Sequence, residues 1–180
     1  MRTNKLSLGD SAPDFSLNGI DGKTSSLDSF NNKKLLLVIF SCNHCPYVQA
    51  YEKRIISLQN DYSEKGLQIV AINSNDPSRY PEDSFDEMAK RAAQIGFNFP
   101  YLQDESQEIA HAFGASHTPE LFLFNEQRKL VYIGKIDDNW QEPEKVRSSY
   151  LRNAIDEILA AKDVSVPETF AVGCTIKWKD

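Results

Sequence analysis

Three cysteines stand in a chain of 180 residues, and two of them frame the segment Ser41-Cys42-Asn43-His44-Cys45-Pro46. Two thiols at this spacing across the first turn of a helix can close a disulfide. One attacks an external disulfide as a thiolate, and the other resolves the mixed intermediate. The apolar run Leu35 to Phe40 ahead of the pair reads as a strand, and the residues from Pro46 onward read as a helix. Unpaired backbone N–H groups at a helix start favour a thiolate, lowering thiol pKa values from about 8.5 towards 3.5–7.5 in such motifs. On this reading Cys42 is the nucleophile and Cys45 the resolving thiol. His44 lies between them, and an imidazolium there would stabilise the reduced form and raise the potential. Known dithiols bracket that potential between about −270 and −120 mV.

Two further segments carry chemistry-bearing residues. His117-Thr118-Pro119-Glu120 precedes the apolar run Leu121 to Phe124, and proline is tolerated at a strand entrance because it need not donate to the ladder. A cis Thr118–Pro119 bond would leave the Thr118 backbone free to pair with an extended substrate. On local sequence alone, an ordinary trans proline is the default. Cys174, in Gly173-Cys174-Thr175-Ile176-Lys177-Trp178, reads by residue type as a small apolar anchor. Zinc would want four ligands, and beyond Cys174 the chain adds only His111 and His117 with no second paired motif. No metal and no cofactor are therefore expected. Asp137-Asp138 reads as a solvated turn.

The elements around these residues alternate. Phe15 to Leu17 and Lys23 to Leu27 flank turn residues and predict a small hairpin. Leu35–Phe40 and Leu67–Ile72 are unbroken apolar runs, the pattern of strands covered on both faces. Between them Val48, Tyr51, Ile55, Leu58 and Tyr62 recur at helical spacing, giving a strand–helix–strand unit. Ser84 with Glu87 fits a capping box opening a helix that stops at Gly96, and a shorter helix is expected from Asp104 to Gly114. Two strands, 120–124 and 130–134, form a hairpin, and Val146 to Leu159 gives an amphipathic last helix. One α/β domain over residues 1–162 and a tail over 163–180, packing on or near it, account for the length.

Composition narrows the partners. Lys and Arg total 20 against 26 Asp and Glu, a net charge of −6, with no basic cluster, so no nucleic acid is expected. No apolar run approaches the ~18 residues of a membrane span. Arg2 and Lys5 precede no apolar stretch, which predicts a cytoplasmic protein without a leader. A reducing compartment disfavours a structural disulfide and favours a working dithiol.

The strand–Cys-x-x-Cys–helix unit, with Thr118-Pro119 at a later strand entrance and a closing hairpin and helix, resembles the thioredoxin-like superfamily. The opening Leu8-Gly9-Asp10-Ser11-Ala12-Pro13-Asp14-Phe15-Ser16-Leu17, then Asp21-Gly22-Lys23 and Ser26-Leu27, is similar to the alkyl-hydroperoxide-reductase and thiol-specific-antioxidant (AhpC/TSA, peroxiredoxin-like) branch. The resemblance spans approximately residues 6–161. It implies a central mixed sheet flanked by helices with an N-terminal hairpin, and a cis Pro119 facing the dithiol. It also implies a protein or small-molecule disulfide as substrate and an external thiol reductant, such as a thioredoxin or glutathione system. Peroxiredoxins place their peroxide-attacking cysteine before a proline, as in Cys45-Pro46, with a threonine three residues earlier. That position is Cys42 here, and their activating arginine is replaced around Thr118-Pro119-Glu120. Thioredoxins bury an acid where this chain has Leu36, so Glu120 is the candidate base for Cys45. In some peroxiredoxins a C-terminal cysteine resolves the oxidised site, which makes Cys174 a candidate third redox thiol. Thiol–disulfide exchange is the expected activity. A thiol peroxidase acting through Cys45, and a non-catalytic metal-binding or adaptor protein, stay open as alternatives.

Overall fold

The computed structural model describes residues 5–180; Arg2 and the rest of residues 1–4 lie outside it. In chain order the elements are β1 (Ser16–Gly19), β2 (Thr24–Ser26), β3 (Leu35–Ser41), α1 (Pro46–Tyr62), β4 (Leu67–Asn73), α2 (Phe85–Ile95) and β5 (Tyr101–Gln103). They continue as α3 (Glu108–Phe113), β6 (His117–Thr118), β7 (Glu120–Phe124), β8 (Leu130–Gly134), α4 (Tyr150–Leu159) and β9 (Cys174–Thr175). Seven strands form one mixed sheet in the order β2-β1-β5-β4-β3-β7-β8, while β6 and β9 pair separately.

The central strand explains the layering. β3 is buried at every position, and its side chains alternate between two cores. Leu36, Val38 and Phe40 join Phe113, Phe122 and Phe124 on one face. Leu35, Leu37 and Ile39 join Tyr51, Ile55 and Leu58 of α1 and Leu151 and Ile155 of α4 on the other. β3 runs parallel to β4 from Leu35↔Leu67 to Ser41↔Asn73, so both strands end at the same edge of the sheet. Antiparallel β7 enters at that edge, with Glu120 opposite Phe40. The dithiol, the chain after β4 and the Thr118–Pro119 turn therefore meet beyond the carboxyl ends of β3 and β4. Open α/β sheets place their ligands there.

The sequence-based elements hold, with local corrections, among them a last helix that begins at Tyr150 and not at Val146, which is extended. The short strand β5 was not foreseen; it pairs with β4 and β1 and so joins the N-terminal hairpin to the main sheet. Helix α3 begins at Glu108 rather than Asp104, whose carboxylate instead accepts the N–H groups of Ile109 and Ala110 at 3.3 and 2.9 Å. Only half of the capping box forms: Ser84 Oγ accepts the Glu87 N–H at 3.4 Å, while the Glu87 carboxylate pairs with Lys90. Gly96 ends α2 at φ 83°, a conformation that favours glycine. Asp137 is not solvated but buried, bonded to Tyr51 Oη and Arg54. No helix among the described residues is long and apolar enough to cross a membrane.

Candidate active site

Pro46 is the first residue of α1, and its fixed φ with no N–H to leave unpaired suits it to that position. Cys45, in extended conformation, is consequently the N-cap. An N-cap side chain faces the free N–H groups of the first turn, and Val48 of that turn packs against the two cysteines. Cys42 lies one residue beyond β3, before the turn. The two side chains pack in one small cluster with Val48, and both are buried.

The Thr118–Pro119 bond is cis, and Thr118 reaches both sulfurs. Its hydroxyl stands 3.4 Å from Cys42 Sγ, and its carbonyl oxygen lies 3.3 Å from Cys45 Sγ. The third cysteine completes the cluster, with Cys174 Sγ 2.8 Å from Cys45 Sγ. β9 pairs antiparallel with β6, Thr118 opposite Cys174 and His117 opposite Thr175. The backbone edge of Thr118, expected to be free for a substrate, is therefore occupied by the chain's own tail.

Electrostatics divide the pair unequally. Hydrogen bonds from the Cys42 thiol, from Cys174 and from the helix N–H together hold Cys45 well below the ordinary thiol range, at about 4. Cys42 moves the other way. Its bond to Cys45, its burial and the Asp83 carboxylate all keep its proton on. Burial and the neighbouring Cys45 charge push Cys174 up to about 11. The two directions favour the charge on Cys45 over Cys42, the reverse of the order expected from sequence, and the cap position of Cys45 is the physical reason.

His44 lies beside Cys42, but its Nδ1 is 2.5 Å from Asp83 and its ring stacks on Tyr80. An imidazolium there is matched by the carboxylate, which offsets the tuning expected of it. Asp83 is the group that sequence reasoning missed. Almost wholly buried, it accepts the Asn43 N–H at 2.6 Å and the amides of Asn75 and Asn73 at 2.9 and 3.3 Å. Tyr101 adds a hydrogen bond to Asn43 Oδ1. No local pattern marks Asp83, since its partners lie up to 40 residues away. Donor atoms of Cys42, His44 and Asp83 lie within 4.8 Å of one another, the one such three-donor group among the described residues. Asp83 already serves three amide donors, and the group offers no fourth ligand for a closed tetrahedral site.

Glu120, the candidate base, is turned towards other partners than the cysteines. Its buried carboxylate accepts the N–H groups of Ser116 and His117 at 2.8 and 3.2 Å and pairs with Lys5 at 2.8 Å, with no bond to a cysteine. It shapes the loop that presents Thr118. Of the other histidines, His111 stacks on Trp178 and His117 bonds Ser116 Oγ.

Comparison with known proteins adds an independent finding. The AhpC/TSA family profile matches residues 8–133. Thiol-disulfide oxidoreductase ResA of Geobacillus thermodenitrificans is 25% identical over 130 residues, covering 71% of this chain and 69% of that protein. An uncharacterized conserved protein from Geobacillus kaustophilus superposes with a TM-score of 0.91 at 40% identity, covering 98% of this chain and 94% of the other. A hypothetical protein from Sinorhizobium meliloti 1021 gives 0.92 at 38%, covering 98% and 97%.

Proposed function

The chain belongs to the AhpC/TSA family, and from that footing we propose that it is a thiol–disulfide oxidoreductase working through the Cys42–Cys45 dithiol. The observation that carries this reading is the placement of Cys45 at the N-cap of α1, packed with Cys42, its sulfur 3.3 Å from the Thr118 carbonyl oxygen beside cis Pro119. Its similarity to proteins named thiol-disulfide oxidoreductase supports the same activity. In the reduced state Cys45 carries the attacking electron pair and Cys42 stores a proton. Attack of Cys45 on a disulfide sulfur expels one partner thiolate, and Cys42 then displaces the second to close Cys42–Cys45. Thr118 supports both sulfurs, and burial together with the Asp83 carboxylate helps keep Cys42 protonated until its turn. The substrate is a protein or small-molecule disulfide, and an external thiol system, of the thioredoxin or glutathione kind, reduces the site again.

A thiol peroxidase is the second reading, favoured by the low pKa of Cys45 and its place before Pro46. Against it, Cys42 stands where the family's threonine would, and the leading causes that lower the Cys45 pKa are thiols and backbone N–H groups, not a cation. Electrostatic stabilisation of the developing charge is the larger part of such catalysis. The test is a pulse of limiting oxidant on the reduced protein, quenched by alkylation and mapped by mass spectrometry. A small disulfide should form Cys42–Cys45 quickly and hydrogen peroxide slowly. Rapid sulfenic acid at Cys45 with peroxide would establish the peroxidase instead.

A further inference from the structure

Neither sulfur of the dithiol is open to a partner: Cys42 is 2% exposed and Cys45 0%. Cys174 is only half-buried, and it touches the more reactive of the two. The tail that carries it is fastened on both sides. Upstream, Thr169 donates to the Ile133 carbonyl and Ile133 to the Pro167 carbonyl. Downstream, Ile176 is buried and donates to Ser116, while Gln107 bonds the backbone of both Lys177 and Lys179. Gly173 permits the close pairing, because a Cβ there would fall 2.1 Å from the Thr118 carbonyl oxygen. The strand that lies where a substrate would pair thus carries a thiol of its own, against the working sulfur.

We propose that Cys174 is the accessible end of a three-sulfur relay, exchanging the disulfide with Cys45 inside and with an external thiol outside. This inference rests on the oxidoreductase reading above. Starting from the oxidised site, the Cys174 thiolate attacks Cys45 Sγ. The Cys45–Cys174 bond forms, the Cys42–Cys45 bond breaks, and its electron pair leaves on Cys42, which takes up a proton. The external thiolate then attacks Cys174 Sγ and expels Cys45 as its thiolate. A second thiol of the same partner displaces Cys174, which leaves as a thiol. The partner dithiol is oxidised by two electrons and the protein is reduced by two. An external disulfide drives the same steps in reverse, so that Cys174 meets it first and the disulfide that Cys45 attacks is the mixed one on Cys174. The low pKa of Cys45 suits it as leaving group, since a less basic thiolate leaves faster. In the oxidised site Cys45 bears no charge, so one of the causes that keep Cys174 protonated is removed.

The test uses the full chain and three single variants, with oxidised glutathione as oxidant, dithiothreitol as reductant and disulfide mapping by mass spectrometry. Cys42→Ser should form Cys45–Cys174 on oxidation. Cys45→Ser should collect the glutathione adduct on Cys174 and leave Cys42 free. Cys174→Ser should still close Cys42–Cys45, but dithiothreitol should reopen it at least about tenfold more slowly than in the unsubstituted chain, with an unchanged melting temperature. A glutathione adduct on Cys42, no Cys45–Cys174 bond in Cys42→Ser, or unchanged reopening in Cys174→Ser would overturn the relay alone. Absence of Cys42–Cys45 from both the unsubstituted chain and Cys174→Ser would overturn the oxidoreductase reading itself.

Discussion

The body of the sheet and the cap beyond the carboxyl ends of β3 and β4 are held by different physics. In the body, β3 and β7 are buried at every position, and aromatic edges fill the space between strand and helix, as where Phe122 meets Phe40 and Phe113. Apolar burial is non-directional, worth roughly 25 cal/mol per Å², and sensitive mainly to volume. The cap buries polar groups instead, among them Asn43, Asn73, Asn75, Asp83 and Thr118, each bonded to a named partner. Hydrogen bonds there add little net stability, but leaving one unmade costs about 1–3 kcal/mol. The body therefore sets how stable the chain is, and the cap sets where three sulfurs sit and which of them is charged.

Truncating the body should be the larger blow. Phe122→Ala removes a fully buried ring and should cost about 3–5 kcal/mol by denaturant unfolding. Titration of Cys45 in the folded protein should not move. A displaced Cys45 titration would mean that body and cap are one mechanical unit, and the contrast would fail.

Asp83→Asn tests the cap. The amide keeps an acceptor oxygen for Asn43 and Asn73 but sets an NH2 group where Oδ2 accepts the Asn75 amide, so a loss of about 1–3 kcal/mol is expected. Removing the negative charge also lifts one of the causes that keep Cys42 protonated. Cys42 should then be alkylated at lower pH than in the unsubstituted chain. Loss of stability with unchanged alkylation would reduce Asp83 to a packing role.

The contrast also tells which features a sequence can show. The apolar runs of β3 and β4, the spacing of α1 and the Ser84 and Gly96 boundaries of α2 depend on neighbours within a few residues, and all were legible. The Cys42–Cys45 pair was legible from spacing. So was the N-cap position of Cys45, because proline at the first helical residue makes its predecessor the cap; the reading gave that benefit to Cys42 instead. Asp83, the engagement of Glu120 with Ser116, His117 and Lys5, and the seat of Cys174 were not legible. Each depends on chain that returns from far along the sequence, as Cys174 does to Cys45 across 129 residues. Strand β5 is three residues long and carries too little periodicity to register.

The charge on Cys45 carries a pH signature that the body cannot produce. Its folded pKa is depressed to about 4 from 9.0, so between those limits the unfolded state binds the extra proton and stability rises with pH. Cys42 is shifted upward, so above about pH 9 the folded state holds a proton that the unfolded state has lost, and stability falls. Neither effect exists once the disulfide has formed. The urea midpoint of the reduced protein should therefore climb relative to the oxidised protein from about pH 4 towards 9, then turn over. A difference that stays flat between pH 5 and 8 would place the thiolate elsewhere.

The smallest expected effect sits at the border between the two regions. Ser84 follows Asp83 directly and caps α2, whose Met88 and Ala92 pack in the apolar body. Its bond to the Glu87 N–H is long at 3.4 Å, and Glu87 returns no bond to complete the box. Ser84→Ala should therefore cost about 0.5 kcal/mol, the lower end for a lost N-cap. Asp83 is fixed by the Asn43 N–H, two side-chain amides and His44, none of which belongs to α2. The sulfurs should consequently not register the change. Comparing Cys42 alkylation between Ser84→Ala and Asp83→Asn separates the adjacent residues: a shift in the first as large as in the second would mean that α2 positions the cap, and that the boundary drawn at Asp83 lies too early in the chain.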